Sequence, residues 1–340
     1  MIKRKDFLKF FNVFYMSNLV TSSSNMNVLN NDSTNELNVS KNLIKDQYSN
    51  SSSEIGLKKT LIRKLFKYYK NDSMKPDLST ILDLSVSNID KGIICSPIAK
   101  KKEYEKYIEY LELTDSSNWS CTTMSERPGF FLMRGMFSKK NQMKWIKKCL
   151  VEYPENGALT NLNPNGEKND SNIFFNYGKK LRWVTKGYDY NWITKEYPKQ
   201  QTSIFPKEFS LIFELICLIL NLEDTKGDTA IINYYPRKAT LSVHTDHSER
   251  RLDKPLVSLS FGQSAVFLLG GQSEEDNVDP ILLNSGDIMV MHEKQRLAYH
   301  AVPKIINTTK FEKKEFDEIP DNILEYSNNN RVNITIRQCD

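Results

Sequence analysis

The chain has 340 residues, 39% of them hydrophobic, and a net charge of +5, which is enough apolar material for one large or two modest cores and permits a polyanionic partner without demanding one. No apolar run approaches the roughly 18 to 20 residues that a membrane helix needs, so nothing here reads as a helical span. The five cysteines, Cys95, Cys121, Cys149, Cys217 and Cys339, are odd in number and form no CxxC, which excludes a disulfide framework or a zinc ribbon and fits a reducing compartment.

The opening MIKRKDFLKFFNVFYMSNLV is basic, aromatic-rich and poor in acids. It reads either as an organellar presequence or as a plain tail, leaving cytoplasm, nucleus and mitochondrion open. Serine and asparagine then dominate, and residues 1–55 form a predicted disordered tail because too little apolar surface is present to offset ordering entropy. At 57–70, LKKTLIRKLFKYYK places Leu57, Leu61, Leu65 and Phe66 on one helical stripe, ringed by lysines and arginine without an acid. Such a helix either docks by its stripe or touches an anionic surface. We place it in an N-terminal helical extension, 56–125, packed on the core.

Residues 126–340 are denser and form the predicted main domain. Helices are expected over 139–153 and, starting on Pro206, over 206–222. Short strand-like runs follow: DTAIINYY, ATLSVH, PLVSLSF, SAVFLLGG, GDIMVM, LAYHAV and RVNITIR. Their spacing by Gly, Pro, Asp and Ser has the rhythm of a sandwich or jelly roll rather than of βα units. Two polar stretches, 163–172 and 306–330, read as long surface loops.

All four histidines lie between positions 244 and 300. His244 and Asp246 are two apart at a strand end, so both project toward one point. With His300 from LAYHAV they make a candidate 2-His-1-carboxylate set, the donor combination that binds Fe(II) and leaves positions open. An isolated HxD is weak evidence, and each histidine alone reads more readily as a hydrogen-bonded core or surface residue. The last strand adds a second signal, since Arg331, Asn333, Thr335 and Arg337 share one face opposite Val332, Ile334 and Ile336. Facing water, that strand is an ordinary half-buried one; facing inward, its arginines need an anion.

Taken in order, Asn233 and Tyr235 in INYY, His244-Thr245-Asp246, His300 and the closing Arg331-Val-Asn333-Ile-Thr335-Ile-Arg337 resemble the AlkB family of Fe(II)/2-oxoglutarate dioxygenases. IRKLFKYYK, RPGFFLMRGMF, KLRWVTKGYDYNW, LVSLSFGQSAVFLLGG, SGDIMVM and RLAYHAVPKI resemble its AlkB homologue 1 branch, over roughly residues 60–340. The resemblance implies a mainly β fold, a double-stranded β-helix (jelly roll) with flanking helices and a nucleotide-recognition lid. It implies iron on His244, Asp246 and His300, 2-oxoglutarate held by Asn233, Tyr235, Arg331, Asn333, Thr335 and Arg337, and O2 as the other co-substrate. The expected reaction is oxidative demethylation of a nucleic-acid base such as 1-methyladenine in tRNA, releasing formaldehyde, succinate and CO2. DNA demethylation, C-methyl oxidation, and a binding module with a relic metal site are the alternatives.

In one respect the chain departs from several family members, which carry an acid two positions after the HxD aspartate; here Ser248 stands there, so their base preference is not carried over. For the lid, Trp183, Tyr188, Tyr190 and Trp192 alternate with Arg182 and Lys186, aromatic faces for stacking an extruded base and cations for its backbone. Tyr188 and Tyr190, on one face with polar tips, are the preferred base contacts, with Trp183 and Phe175 as further candidates. The partner is expected to be nucleic acid, without membrane association, and the enzyme to act as a monomer.

Overall fold

In the computed structural model, residues 60–166, 171–192 and 194–340 are described. The predicted disordered tail, the presequence alternative and Leu57 of the helical stripe lie outside these residues. Twelve strands among the described residues form two antiparallel sheets. The larger contains β1 (Ile93–Pro97), β2 (Ser120–Met124), β3 (Phe130–Arg134), β4 (Trp183–Gly187), β5 (Thr229–Tyr235), β7 (Leu256–Gly262), β10 (Ile288–Met291) and β12 (Arg331–Arg337). Its order is β1-β2-β3-β10-β7-β12-β5-β4. The smaller contains β6 (Leu241–His244), β8 (Ser264–Leu269), β9 (Asp279–Leu283) and β11 (His300–Ile306), in the order β6-β11-β8-β9. Sequence neighbours β5 and β6, or β7 and β8, lie in different sheets, which is the crossing pattern of a jelly roll.

The helices are α1 (Leu61–Lys70), α2 (Glu105–Leu111), α3 (Lys139–Val151), α4 (Ile173–Tyr177), α5 (Lys207–Leu220) and α6 (Asp321–Asn329). Pro206 precedes α5 at its N-cap, where its missing N–H costs nothing. Ser138 caps α3 by accepting from the Asn141 N–H. Both helices bury apolar faces against one side of the large sheet, in a core that includes Trp145, Phe209, Phe213, Leu259 and Ile334. A second core, with Phe130, Leu132, Leu256, Phe267, Leu269 and Met289, includes residues from both sheets. The even positions of β12 serve the first core, which leaves its odd positions, the two arginines among them, on the other face.

Four expectations change. The stretch 306–330 is not a plain surface loop: it contains α6 and buries Phe311, Phe316, Ile319, Ile323, Leu324 and Tyr326. Those apolar residues are irregularly spaced, so composition hides them. The docked side of α1 is Ile62, Leu65 and Tyr69 rather than the line through Leu61 and Phe66; it lies against the smaller sheet while Arg63, Lys67 and Lys70 stay exposed. The 56–125 extension is not only helical, since β1 and β2 extend the large sheet. Strand β9 is not among the expected runs; its Pro280 fits there next to the Leu82–Ile281 bridge at the sheet margin.

Candidate metal and co-substrate site

Strand β12 is buried along its whole length, with Arg331 2% and Arg337 5% exposed. The half-buried alternative therefore fails, and the face bearing the arginines looks inward. Its register fixes what surrounds them: Arg331 is opposite Tyr235 on β5 and Gly262 on β7, and Asn333 is opposite Asn233 and Ser260. Gly262 has φ +84°, and a Cβ there would come within 2.4 Å of the Asn330 carbonyl oxygen, so this close approach requires glycine.

At one end of this face the three candidate metal ligands meet. His244 ends β6 and His300 begins β11, and the two are directly paired in the small sheet. One ligand atom from each of His244, Asp246 and His300 lies within 4.8 Å of the others. The His244 Nδ1 lies 2.8 Å from the Ser242 carbonyl oxygen, and the His300 Nδ1 lies 2.9 Å from that of Ala298. With Nδ1–H donated in this way, each ring presents an unprotonated Nε2, which is the atom a metal needs. Burial, reinforced by His244 beside it, pulls the His300 pKa down to about 4, so the ring is neutral at physiological pH. For Asp246, burial pushes the carboxyl up, but Arg337, His300 and His244 outweigh it and hold the group well below the usual carboxylate range.

The Asp246 carboxylate is held by Arg337. Arg337 Nη2 donates to its Oδ2 at 2.8 Å, leaving Oδ1 3.7 Å from His244 Nε2, on the side of the other ligands. Arg337 Nε also lies 2.9 Å from Glu249 Oε1. Burial works against the Arg337 charge, yet Asp246, Tyr197 and Glu249 raise its pKa above the ordinary value.

Arg331 is different. Nη2 donates to Ser260 Oγ at 2.9 Å, and the guanidinium lies 5.1 Å from the centre of the Tyr235 ring. Its Nε and Nη1 are buried without a partner. Burial lowers its pKa. Buried N–H groups without an acceptor on a guanidinium call for an anion, and a carboxylate is one that suits them. Asn333 and Thr335 are occupied otherwise: the Asn333 amide donates to Ser258 Oγ and the Leu259 carbonyl, both at 2.8 Å, and Thr335 Oγ1 donates to Asn333 Oδ1 at 3.0 Å.

The aromatic segment reaches the same region. Tyr190 OH lies 3.2 Å from Ser248 Oγ, and Tyr197 OH donates to Glu249 Oε1 at 3.3 Å. Tyr190, Trp192 and Trp183 form a chain of rings, with centroids 4.9 Å apart at each step. Trp183 pairs with Asn233, on the inward face of the large sheet, and Trp192 is 42% exposed. Tyr188 does not join them; its hydroxyl meets Asp340 and its ring lies under Arg250. Equal strand parity fails as a guide here because β4 ends at Gly187, before either tyrosine. Phe175 is 49% exposed, while its neighbour Phe174 is buried against Tyr326.

The sequence profile of the 2OG-Fe(II) oxygenase superfamily matches residues 129–337, the span from β3 to the end of β12. The human nucleic acid dioxygenase ALKBH1 is 32% identical over 270 residues, covering 72% of this chain and 69% of its own. The chain belongs to the AlkB homologue 1 branch of that superfamily. The tRNA demethylase abh1 of Schizosaccharomyces pombe is 34% identical over 54% of this chain and 70% of its own. The Arabidopsis thaliana DNA N(6)-methyladenine demethylase ALKBH1A is 28% identical over 80% and 92%. Among solved structures, OsALKBH1 aligns with a TM-score of 0.45 and 23% identity, covering 62% of this chain and 97% of that one.

As a 2OG-Fe(II) oxygenase the chain is an oxidoreductase that uses Fe(II), 2-oxoglutarate and O2. Its residues fit those groups on two independent observations: a two-nitrogen, one-carboxylate donor set for the metal, and the unsatisfied buried N–H groups of Arg331 for the dicarboxylate. Sequence reasoning missed Arg296, Tyr197, Ser258 and Ser260, all buried partners of the site whose contacts come from distant segments. The structure buries Glu249 between Arg296 and Arg337, so its carboxylate is already engaged.

Proposed function

We propose that this AlkB-type oxygenase oxidatively removes N-linked methyl groups from nucleic-acid bases, with tRNA carrying 1-methyladenine as the leading substrate. His244, Asp246 and His300 hold Fe(II), and Arg331 clamps the distal carboxylate of 2-oxoglutarate. Iron with 2-oxoglutarate and O2 supplies the oxidising power that converts an N-methyl to an N-hydroxymethyl group, with succinate and CO2 as co-products; the hydroxymethyl then leaves as formaldehyde. The protein's own task is placement. Arg337 fixes Asp246 so that a single oxygen faces the metal, and Tyr235 and Ser260 fix Arg331. Tyr190, Trp192 and Trp183 offer stacking faces for a base taken out of its helix.

The observation that carries this reading is the Tyr190–Ser248 contact, which attaches the aromatic chain two residues beyond Asp246. A base stacked there would bring its edge toward the triad. With Ser248 neutral and Glu249 engaged by arginines, this edge meets hydroxyl groups rather than a free carboxylate. The names of the relatives support nucleic acid as the substrate class and divide between RNA and DNA. Succinate release measured with methylated and unmethylated oligonucleotides of the same sequence tests the proposal. Stimulation by the methylated form alone, with formaldehyde in equal amount, is expected; equal rates with both would reject it.

A further inference from the structure

We propose that Arg296 is a positioning residue of the metal site, which locks the segment bearing Asp246 to the segment that delivers His300. The two halves of the triad come from different places. His244 and Asp246 stand at the end of β6, whereas His300 begins β11, after the turn at 293–296. Pairing of His244 with His300 joins the strands at one rung, but the ladder is irregular directly beyond it, between His300 and Val302. Asp246 lies past the end of β6, where no ladder holds it.

Arg296 spans this gap with one side chain. Nη1 donates to the Asp246 carbonyl oxygen at 2.7 Å, Nε to the Lys254 carbonyl oxygen at 3.0 Å, and Nη2 to Glu249 Oε2 at 3.0 Å. The side chain is 2% exposed, so all three bonds are made away from water. Glu249 in turn meets Arg337, whose other arm holds the Asp246 carboxylate. Asp246 is therefore fixed through its main chain by Arg296 and through its side chain by Arg337, and Glu249 is the carboxylate that both arginines share. Two cations and two anions close this ring, so the buried charge balances.

Apolar replacement of a buried ion network is often neutral or stabilising, so stability alone does not account for this one. Here the fork geometry of guanidinium makes three bonds in three directions, which an ammonium on a shorter stem cannot reproduce. Partners that orient metal ligands typically change metal affinity by about 10- to 100-fold when lost. None of the three Arg296 bonds goes to a side chain of the triad; it acts through the Asp246 main chain and Glu249.

The test is Mn(II) affinity of the metal-free protein, measured by electron paramagnetic resonance, together with the visible spectrum of the Co(II)-loaded protein. Arg296→Lys is expected to weaken Mn(II) binding by about 10- to 100-fold and to alter the Co(II) spectrum. Arg134→Lys is the control, since Arg134 is also a largely buried arginine with several partners, Asp287 and the Leu282 carbonyl among them, but none in the triad. It should lose stability and keep both metal readouts. Arg296→Gln provides the second case if the lysine variant does not fold, with the same criterion. Parent-like Mn(II) affinity and an unchanged Co(II) spectrum in a folded Arg296 variant would overturn the proposal. Because no nucleic acid is present, the outcome is independent of the substrate reading, and failure of the parent to bind Mn(II) would reject the metal site itself.

Discussion

Replacing Arg331 by methionine removes a buried positive charge for which the folded protein supplies one hydroxyl partner and an aromatic face, while Nε and Nη1 have none. Burial of that guanidinium is a standing cost to the metal-free, co-substrate-free protein, and methionine of similar length fills the space without it. The folded state should therefore lose no stability, and its melting temperature should hold or rise. With 2-oxoglutarate the sign reverses, because the carboxylate loses its fork. Breaking a buried ion pair costs about 3 to 5 kcal/mol, and at about 1.4 kcal/mol per decade this corresponds to a rise in Kd of about two to three and a half orders of magnitude. Arg331→Lys keeps the charge but gives up the Ser260 bond and the planar set of N–H donors, so about 1.5 to 3 kcal/mol is expected, the range for a charged hydrogen bond. Calorimetric titration of 2-oxoglutarate into the Mn(II)-loaded variants, alongside thermal melts without ligand, separates the two effects. A large loss of stability with an unchanged Kd would refute the reasoning and make Arg331 a structural residue.

Further outcomes follow from the same geometry. Asp246→Ala should abolish iron-dependent succinate production while leaving a folded protein; a parent-like rate would reject the triad. Tyr190→Ala should weaken capture of a methylated oligonucleotide by about 1 to 3 kcal/mol, whereas Tyr188→Ala, against Arg250 and Asp340, should have the smaller effect, both read by fluorescence anisotropy. Phe174→Ala should destabilise by about 3 to 5 kcal/mol and Phe175→Ala by under about 0.5 kcal/mol, by denaturant melts. For the metal-free protein, His300 has its folded pKa near 4, below the unfolded value, so the unfolded chain binds the extra proton. Its contribution is complete above about pH 6.5 and is lost as pH falls toward 4, and His300→Asn should flatten the stability profile across that window.

Strand alternation alone placed Arg331, Asn333, Thr335 and Arg337 on one face, because a period of two survives wherever a strand is regular. The HTD spacing and the apolar helix after Pro206 were legible for the same reason, being local patterns. The rest depends on contacts between distant segments. Nothing near Arg296 in sequence marks it as a partner of Asp246, and Glu249, next to a solvent-exposed Arg250, gives no sign that it is buried. Parity misassigned Tyr188 because the strand had already ended, and the buried residues of 311–326 follow no single period. Buried ion networks and irregular segments are set by tertiary packing, which a single sequence does not display.

The most direct test of the central claim is nucleoside mass spectrometry of tRNA, with methylated single-stranded DNA in parallel, after incubation with enzyme, Fe(II), 2-oxoglutarate and O2. Loss of 1-methyladenosine with a matching gain of adenosine, dependent on each co-substrate and absent with Asp246→Ala, is the predicted result. Unchanged methylated nucleosides in both nucleic acids, with succinate released at the same rate whether or not they are present, would contradict it.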